Sequence, residues 1–272
     1  DGGNTRCEAF RLVAKDHIVI DGFEMTDHPD CGNDDATVYV ENSDYVQILN
    51  NVIHDTGRDA INFNNGSTDA LVFNNLIYNV DDDGMEPQAG NHTVRNNTIY
   101  NCIAGVAFEN IGAGSVLEYN IIWDDIPAVA GTFNYNNYIN DPAALNAAGT
   151  GNFSSDPLFV ATGSDFHLQH IAAGQAADSP AIDAGNVTAA SLGLDTRTTR
   201  TDAIADYGNL DLGYHYPNGV QDTTAPAAVA DLATSNPTAT SIDLTWTAPG
   251  DDGNSGTATT YDIRYSPSPI TN

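Results

Sequence analysis

The 272-residue chain sets eight Lys and Arg against 37 Asp and Glu, a formal net charge of −29, which excludes nucleic acid and anionic membrane as partners held by charge. Its three cysteines, Cys7, Cys31 and Cys102, are too few for a disulfide scaffold and fit no zinc spacing. No apolar run reaches membrane-spanning length, so membrane insertion is not expected.

In chain order, residues 1–7 read as the end of a coil, so the chain is expected to begin inside a repeat, and 9–13 (AFRLV) is already a strand. Cys7 and Cys31 could pair at this end, while Cys102 reads as a small buried side chain. HIVIDGFEMTD (17–27) follows, with Asp21 and Gly22 standing where later copies carry paired asparagines. Four copies then succeed one another: VQILNNVIHD, LVFNNLIYNV, HTVRNNTIYN and SVLEYNIIWD. Aligned on Asn51, Asn75, Asn97 and Asn120, they are spaced by 24, 22 and 23 residues, the period of a β-solenoid coil. Apolar residues alternate around each asparagine (Val46, Ile48 and Ile53; Val72 and Ile77; Val94 and Ile99), which is the period of strands. The asparagine itself suits a sharp left-handed bend, with its amide bonding the same residue one coil away. A third strand closes each coil at 37–41, 60–64, 84–88 and 105–109. Three strands per coil describe an all-β prism.

These repeats resemble the right-handed parallel β-helix proteins of the pectate-lyase-like superfamily, which include pectate lyases, polygalacturonases, alginate lyases and many secreted bacterial proteins. The resemblance implies an extracellular or cell-surface bacterial protein that contacts polysaccharide. Beyond Asp124 the pattern loosens, with NYNNYIND as one further irregular coil, and DPLF, DFHLQ, SPAIDAG and DLGYHYP resemble the closing segment of bacterial β-helix proteins. Residues 127–218 are therefore expected to cover the last hydrophobic coil, with SPAIDAG structural. A Pro- and Ala-containing linker follows near residue 220. TATSIDLTWTAPGDDG and TYDIRYS, around Trp246 and Tyr261, resemble the first strands of a fibronectin type III module. The expected domains are thus 1–218 and 219–272, the second being an incomplete β-sandwich that continues past Asn272 and links the rod to a cell surface or to other modules.

Alternation along the third strands points Phe10, Leu12, Val38, Val40, Ile61, Phe63, Met85, Pro87, Val106 and Phe108 inward. One outward column then reads Arg11, Tyr39, Asn62, Glu86, Ala107, and the next reads Val13, Glu41, Asn64, Gln88, Glu109. Arg11, Glu41, Asn62, Asn64 and Gln88 are the candidate substrate-binding residues, lining a long shallow face. In the preceding loop Arg58 falls beside Asp82 and Asp59 beside Asp83, at about the 4.8 Å coil spacing. Like charges so close need a raised pKa, the Arg58 counter-charge or a bridging cation. Asp59, Asp83 and Glu86 form the candidate calcium site; the same loops could equally be solvated or cap backbone amides. The column His54, Tyr78, Tyr100, Trp123 reads as a stacking ladder on the solenoid surface.

Two kinds of cleavage fit these residues. A hydrolase would pair Glu86 with Glu109, one coil and two residues away and roughly 8 Å apart, the spacing of an inverting pair. A lyase would use calcium to neutralise a uronate carboxylate, with Arg58, Arg11 or Tyr39 as base, because the only lysine is Lys15. DDDG (81–84) is similar to the paired aspartates of polygalacturonases, but the Gly-His-Gly and Arg-Ile-Lys elements of that family are absent. The rival expectation is a non-catalytic adhesion, surface or fibre protein.

Overall fold

The computed structural model describes residues 8–29, 36–103, 105–124, 126, 131–139, 145–217, 227–238 and 240–250. Cys7, Cys31 and the segment 260–266 lie outside them. Two compact units, residues 1–220 and 221–272, divide the chain.

Three parallel sheets make the first unit. One stacks Val19–Asp21, Gln47–Leu49, Leu71–Phe73, Thr93–Arg95, Val116–Glu118, Thr132–Asn134 and Gly149–Thr150. The second stacks Glu24–Thr26, Val52–Thr56, Leu76–Val80, Thr98–Cys102, Ile121–Ile122 and Asn137–Tyr138, and the third stacks Phe10–Val13, Ala36–Glu41, Asp59–Asn64 and Met85–Pro87. Each coil passes through the sheets in that order, so successive copies pair in parallel and their apolar residues meet inside. Val38, Val40, Ile48, Ile53, Ile61, Phe63, Ile77, Val94, Ile99 and Leu117 form one continuous buried core, the main source of the unit's stability.

The bend between the first and second sheets is fixed by hydrogen bonds. Asn51 Nδ2 donates to Asn75 Oδ1 (3.0 Å), Asn75 to Asn97 (2.9 Å), Asn97 to Asn120 (3.0 Å), Asn120 to Asn136 (2.9 Å) and Asn136 to Asn152 (2.9 Å). The same acceptor oxygens receive the backbone N–H of the preceding ladder residue. The left-handed backbone falls one residue earlier than expected, at Asn50, Asn74, Asn96, Tyr119 and Tyr135 (φ between 52° and 60°). Gly22 (φ 77°) takes that place in the first described coil, so Gly22 and Phe23, and not Asp21 and Gly22, replace the paired asparagines. Asn136 and Asn152 carry the ladder two coils past Asn120 at spacings of 16 residues. The ladder therefore runs on to Asn152, inside the stretch expected to be the closing segment, and among the described residues no strand joins the third sheet after Met85–Pro87.

Residues 105–109 do not form the expected fourth third-sheet strand. Asp83 Oδ1 captures the Val106 N–H at 2.8 Å, and Gly84 and Met85 donate to the Val106 and Ala107 carbonyls. The chain turns there, and Met85 bridges to Phe108 where alignment placed Val106. Val106 is consequently half-buried, Ala107 takes the buried position, and Glu109 comes into line with Glu86.

The segment from Pro157 to Tyr216 also departs from expectation, lying along the flank of the second sheet. Phe166 packs on Tyr78 (5.0 Å between ring centres) and Tyr100 (5.4 Å), and Phe159 on Trp123 (6.1 Å). The aromatic column is thus an internal contact surface, which explains why these side chains are aromatic. Asn74 and His215 exchange side-chain and backbone hydrogen bonds (2.9 and 2.6 Å), and Tyr214 N donates to Thr98 Oγ1 at 3.0 Å. The buried His215 ring is fixed in turn by the Gly213 carbonyl and Asp206. Ser179 and Ala181 of SPAIDAG are buried, as suits a structural role.

In the second unit, Ala233–Ser235 pairs antiparallel with Asp243–Thr245, and Asp231 receives hydrogen bonds from the backbone and hydroxyl of Thr247. Trp246 is half-buried.

Asn97 is fully buried, accepting from Asn75 and donating to Asn120 and to the Val72 carbonyl. Replacing it with Ala orphans groups on both neighbouring coils. Asn97→Ala is expected to lower the unfolding free energy by about 3 kcal/mol, read as a reduced midpoint in urea. Gln47→Ala, at an exposed strand position outside the ladder, is the control for surface substitution.

Candidate functional site: an acidic cluster at the end of the third sheet

Asp59 and Asp83 occupy equivalent places at the start of the third-sheet segments, since Ala60 N donates to Asp83 O (3.0 Å) and Asp83 N to Asp59 Oδ1 (3.3 Å). One oxygen of each carboxylate therefore caps the backbone of the next coil, Asp59 for Asp83 and Asp83 for Val106. The remaining oxygens face further acids. Asp59, Asp82 and Asp83 bring carboxylate oxygens within 4.8 Å of one another, and Asp83, Glu86 and Glu109 do the same. Asp83 belongs to both groups, so five carboxylates form one patch.

Amides hold it together. Asn62 Nδ2 donates to Asp59 Oδ2 (3.1 Å) and also to Glu86 Oε2. Gln88 Nε2 donates to Glu86 Oε2 (3.1 Å), and Asn110 Nδ2 reaches both Glu86 Oε1 (2.9 Å) and Glu109 Oε2 (3.1 Å). Asn62 is 3% exposed, and its Oδ1 has no hydrogen-bond partner. Arg58 pairs with Asp82 at 2.6 Å, and among the described residues the deeper acids have no direct counter-charge. Gly105 is required beside them, because a Cβ there would stand 2.4 Å from Asp83 Oδ1 and from the Asp82 carbonyl carbon.

Burial and mutual repulsion raise the proton affinity of the patch. Burial, reinforced by the Glu86 charge, pushes Asp59 up to about 7 despite the Asn62 hydrogen bond. Asp83 is raised by burial, opposed by its bond from Val106 N–H. Glu109 is pushed up to about 7, first by the hydrogen bond it shares with Glu86 and then by burial and the Asp83 charge. Protonated carboxyls are the cluster's own answer to like charges at coil spacing.

Not every candidate joins this patch. Arg11 bonds Glu8 (2.8 Å) and lies 4.3 Å above the Tyr39 ring. Tyr39 is 2% exposed, with its hydroxyl between Glu41 (3.5 Å) and Asn64 (3.4 Å), and Glu41 is also held by Asn65. The outward columns thus form two internally bonded groups: Arg11, Tyr39, Glu41 and Asn64 in one, and Asn62, Glu86, Gln88 and Glu109 in the other. Of the substrate-binding candidates Arg11 is exposed, Glu41, Asn64 and Gln88 are half-buried and Asn62 is buried, while Glu86 is only 8% exposed. Glu86 and Glu109 are also closer than the roughly 8 Å read from the sequence, because the register at 105–109 is displaced. Asn110, which bridges them, escaped notice for the same reason. His54 lies apart, stacked on Tyr78 with its ring nitrogens facing Asp55 and Glu24.

The raised Asp59 pKa has a definite sign. The folded state holds its proton more tightly than the unfolded chain, so this contribution to stability is complete below the ordinary aspartate range near 4 and is lost as pH rises through about 7. In chelator, thermal stability is expected to fall between pH 4 and pH 8 by more in the native chain than in Asp59→Asn, and the variant to be the more stable at pH 8. Equal slopes in melting scans across that window would contradict this assignment.

Among known proteins, the family model described as the right handed beta helix region matches residues 11–156. No curated protein and no solved structure matches the chain. With three stacked parallel sheets, an asparagine ladder at the bend and a match over more than half its length, the chain belongs to the right-handed beta-helix family.

Proposed function

We propose that this is an extracellular bacterial protein that contacts an acidic polysaccharide through a calcium ion held by Asp59, Asp83, Glu86 and Glu109. The observation that carries this reading is the packing of carboxylates within 4.8 Å with, among the described residues, no direct counter-charge on the deeper ones. Such a patch must take up protons or a cation. The donor set is all oxygen, and the unpartnered Asn62 Oδ1 adds a neutral oxygen ligand, which suits a hard cation such as calcium. Asp82 and Glu109 are only half-buried, so a cation there remains within reach of solvent and of a sugar carboxylate. The second unit, which resembles a fibronectin type III module, would hold the rod beside a surface or another module.

Cleavage is the second reading, and Glu109 favours it. A half-exposed carboxyl with a pKa about 7 is suited to moving a proton at neutral pH. Arg58, Arg11 and Tyr39, the bases suggested by the sequence, are each engaged elsewhere. In a lyase, calcium would be held by Asp59, Asp83 and Glu86 alone and would neutralise the uronate carboxylate; Glu109, free of the ion, would take the proton from the neighbouring carbon, and the glycosidic C–O bond would break as the ring C=C bond forms, its oxygen taking a proton from solvent. A bound adhesive rod needs only the first half of that chemistry.

Millimolar calcium is expected to raise the melting temperature and chelator to reverse the rise; saturation at a hundred times Kd corresponds to about 2.7 kcal/mol. The shift should be larger at pH 8 than at pH 5, because protons on Asp59 and Glu109 compete with the ion, and Glu86→Gln should reduce it at least tenfold in apparent affinity. No shift at either pH would overturn the cation site. Incubation with pectate, alginate or a glycosaminoglycan separates the two readings: an ultraviolet-absorbing unsaturated product, lost in Glu109→Gln, marks a lyase, whereas calcium-dependent retention without product marks a binding protein.

A further inference from the structure

A second feature of the same loops lies outside the acidic cluster. Asp55, Thr56, Gly57, Asn79, Asp81, Asn101 and Ile103 line a cleft of about 460 Å³ at the corner leaving the second sheet, a size suited to a small ligand. Asp55, Asn79 and Asn101 hold equivalent left-handed positions on three successive coils (φ 50°, 52° and 60°). Their side chains bond head to tail: Asn101 Nδ2 donates to Asn79 Oδ1 (2.8 Å), and Asn79 Nδ2 to Asp55 Oδ1 (3.1 Å). Asp55 is anchored at the other end by His54 Nδ1 (2.7 Å), which holds its carboxyl below the usual range. This chain uses one N–H of each amide and leaves the second. The exposed Asp81 carboxylate makes no hydrogen bond among the described residues, and Ile103 sits on the rim with 60% of its surface exposed.

We propose that this cleft is a subsite for a neutral pyranose unit. The inference rests on the reading that the protein contacts polysaccharide and names the chemistry of one part of the contact. Vicinal hydroxyls both donate and accept, so they match a carboxylate acceptor beside an amide donor, repeated at the coil spacing of about 4.8 Å. The C–H face of the ring would rest on Ile103. Among the lining residues are two carboxylates and no cationic side chain, so an anionic unit would meet repulsion there, in contrast to the acidic cluster further along the same loops once it has taken up the proposed cation.

The test is titration of the whole chain, in chelator, with neutral oligosaccharides of glucose, mannose, xylose and galactose and with oligogalacturonate, followed by backbone amide shifts. At least one neutral oligosaccharide is expected to move residues 55–57, 79–81 and 101–103. Asp81→Ala and Ile103→Asp, both at exposed positions, should each weaken that binding at least tenfold while leaving the melting temperature unchanged. The proposal is overturned if no neutral sugar binds, if neither variant weakens binding, or if oligogalacturonate is preferred in chelator. Repeating the oligogalacturonate titration with calcium separates this result from the cation reading: calcium-dependent binding without neutral binding sinks the cleft alone, and neutral binding without any calcium effect sinks the cation bridge alone.

Discussion

Everything in the first unit depends on buried asparagine amides that bond one another from coil to coil. Each ladder residue satisfies a backbone amide and a carbonyl that the bend would otherwise leave unpaired inside the protein, where an orphaned polar group is costly. Asparagine fits because its side chain carries donor and acceptor together at a length that reaches the next coil. The ladder fixes the register of the first two sheets, and their in-register apolar residues then fill the interior without further instruction.

Register has a cost as well as a benefit. Stacking equivalent positions at coil spacing places Asp59 against Asp83 and Glu86 against Glu109, so any acid conserved in place by the fold's geometry meets its own kind. At the bend, the repeated group is an amide that complements itself. In the third sheet it is a carboxylate that repels itself unless it binds a proton or a cation. One architectural rule thus yields a stable spine on one corner and a mutually repelling patch on another, where a bound proton or a bound cation would relieve the same repulsion.

The spine was legible in the sequence because the asparagine period, the apolar alternation and the third-sheet strands at 37–41 and 60–64 are strictly local signals. The pairing of Arg58 with Asp82 and of Asp59 with Asp83 followed from the same alignment. Glu109 was paired with Glu86 but set two residues out of line, because the Val106 N–H bonds the Asp83 side chain and the register moves by two residues, a competition between carboxylate and strand that no periodicity records. The placement of Pro157–Tyr216 was illegible for a different reason. Its contacts, such as Asn74 with His215, join residues 141 positions apart, and aromatic residues on a strand look alike whether they meet solvent or a covering segment.

The step of the ladder shortens from 22–24 residues to 16 just past Asn120, yet every rung keeps the same amide-to-amide bond. The spine therefore sets no length for the coil it anchors; the chain has only to return to the same corner. Such a frame tolerates insertion and deletion in the rest of the coil, so the loop that carries the acids can be lengthened, trimmed or exchanged without disturbing the bend that holds it in line.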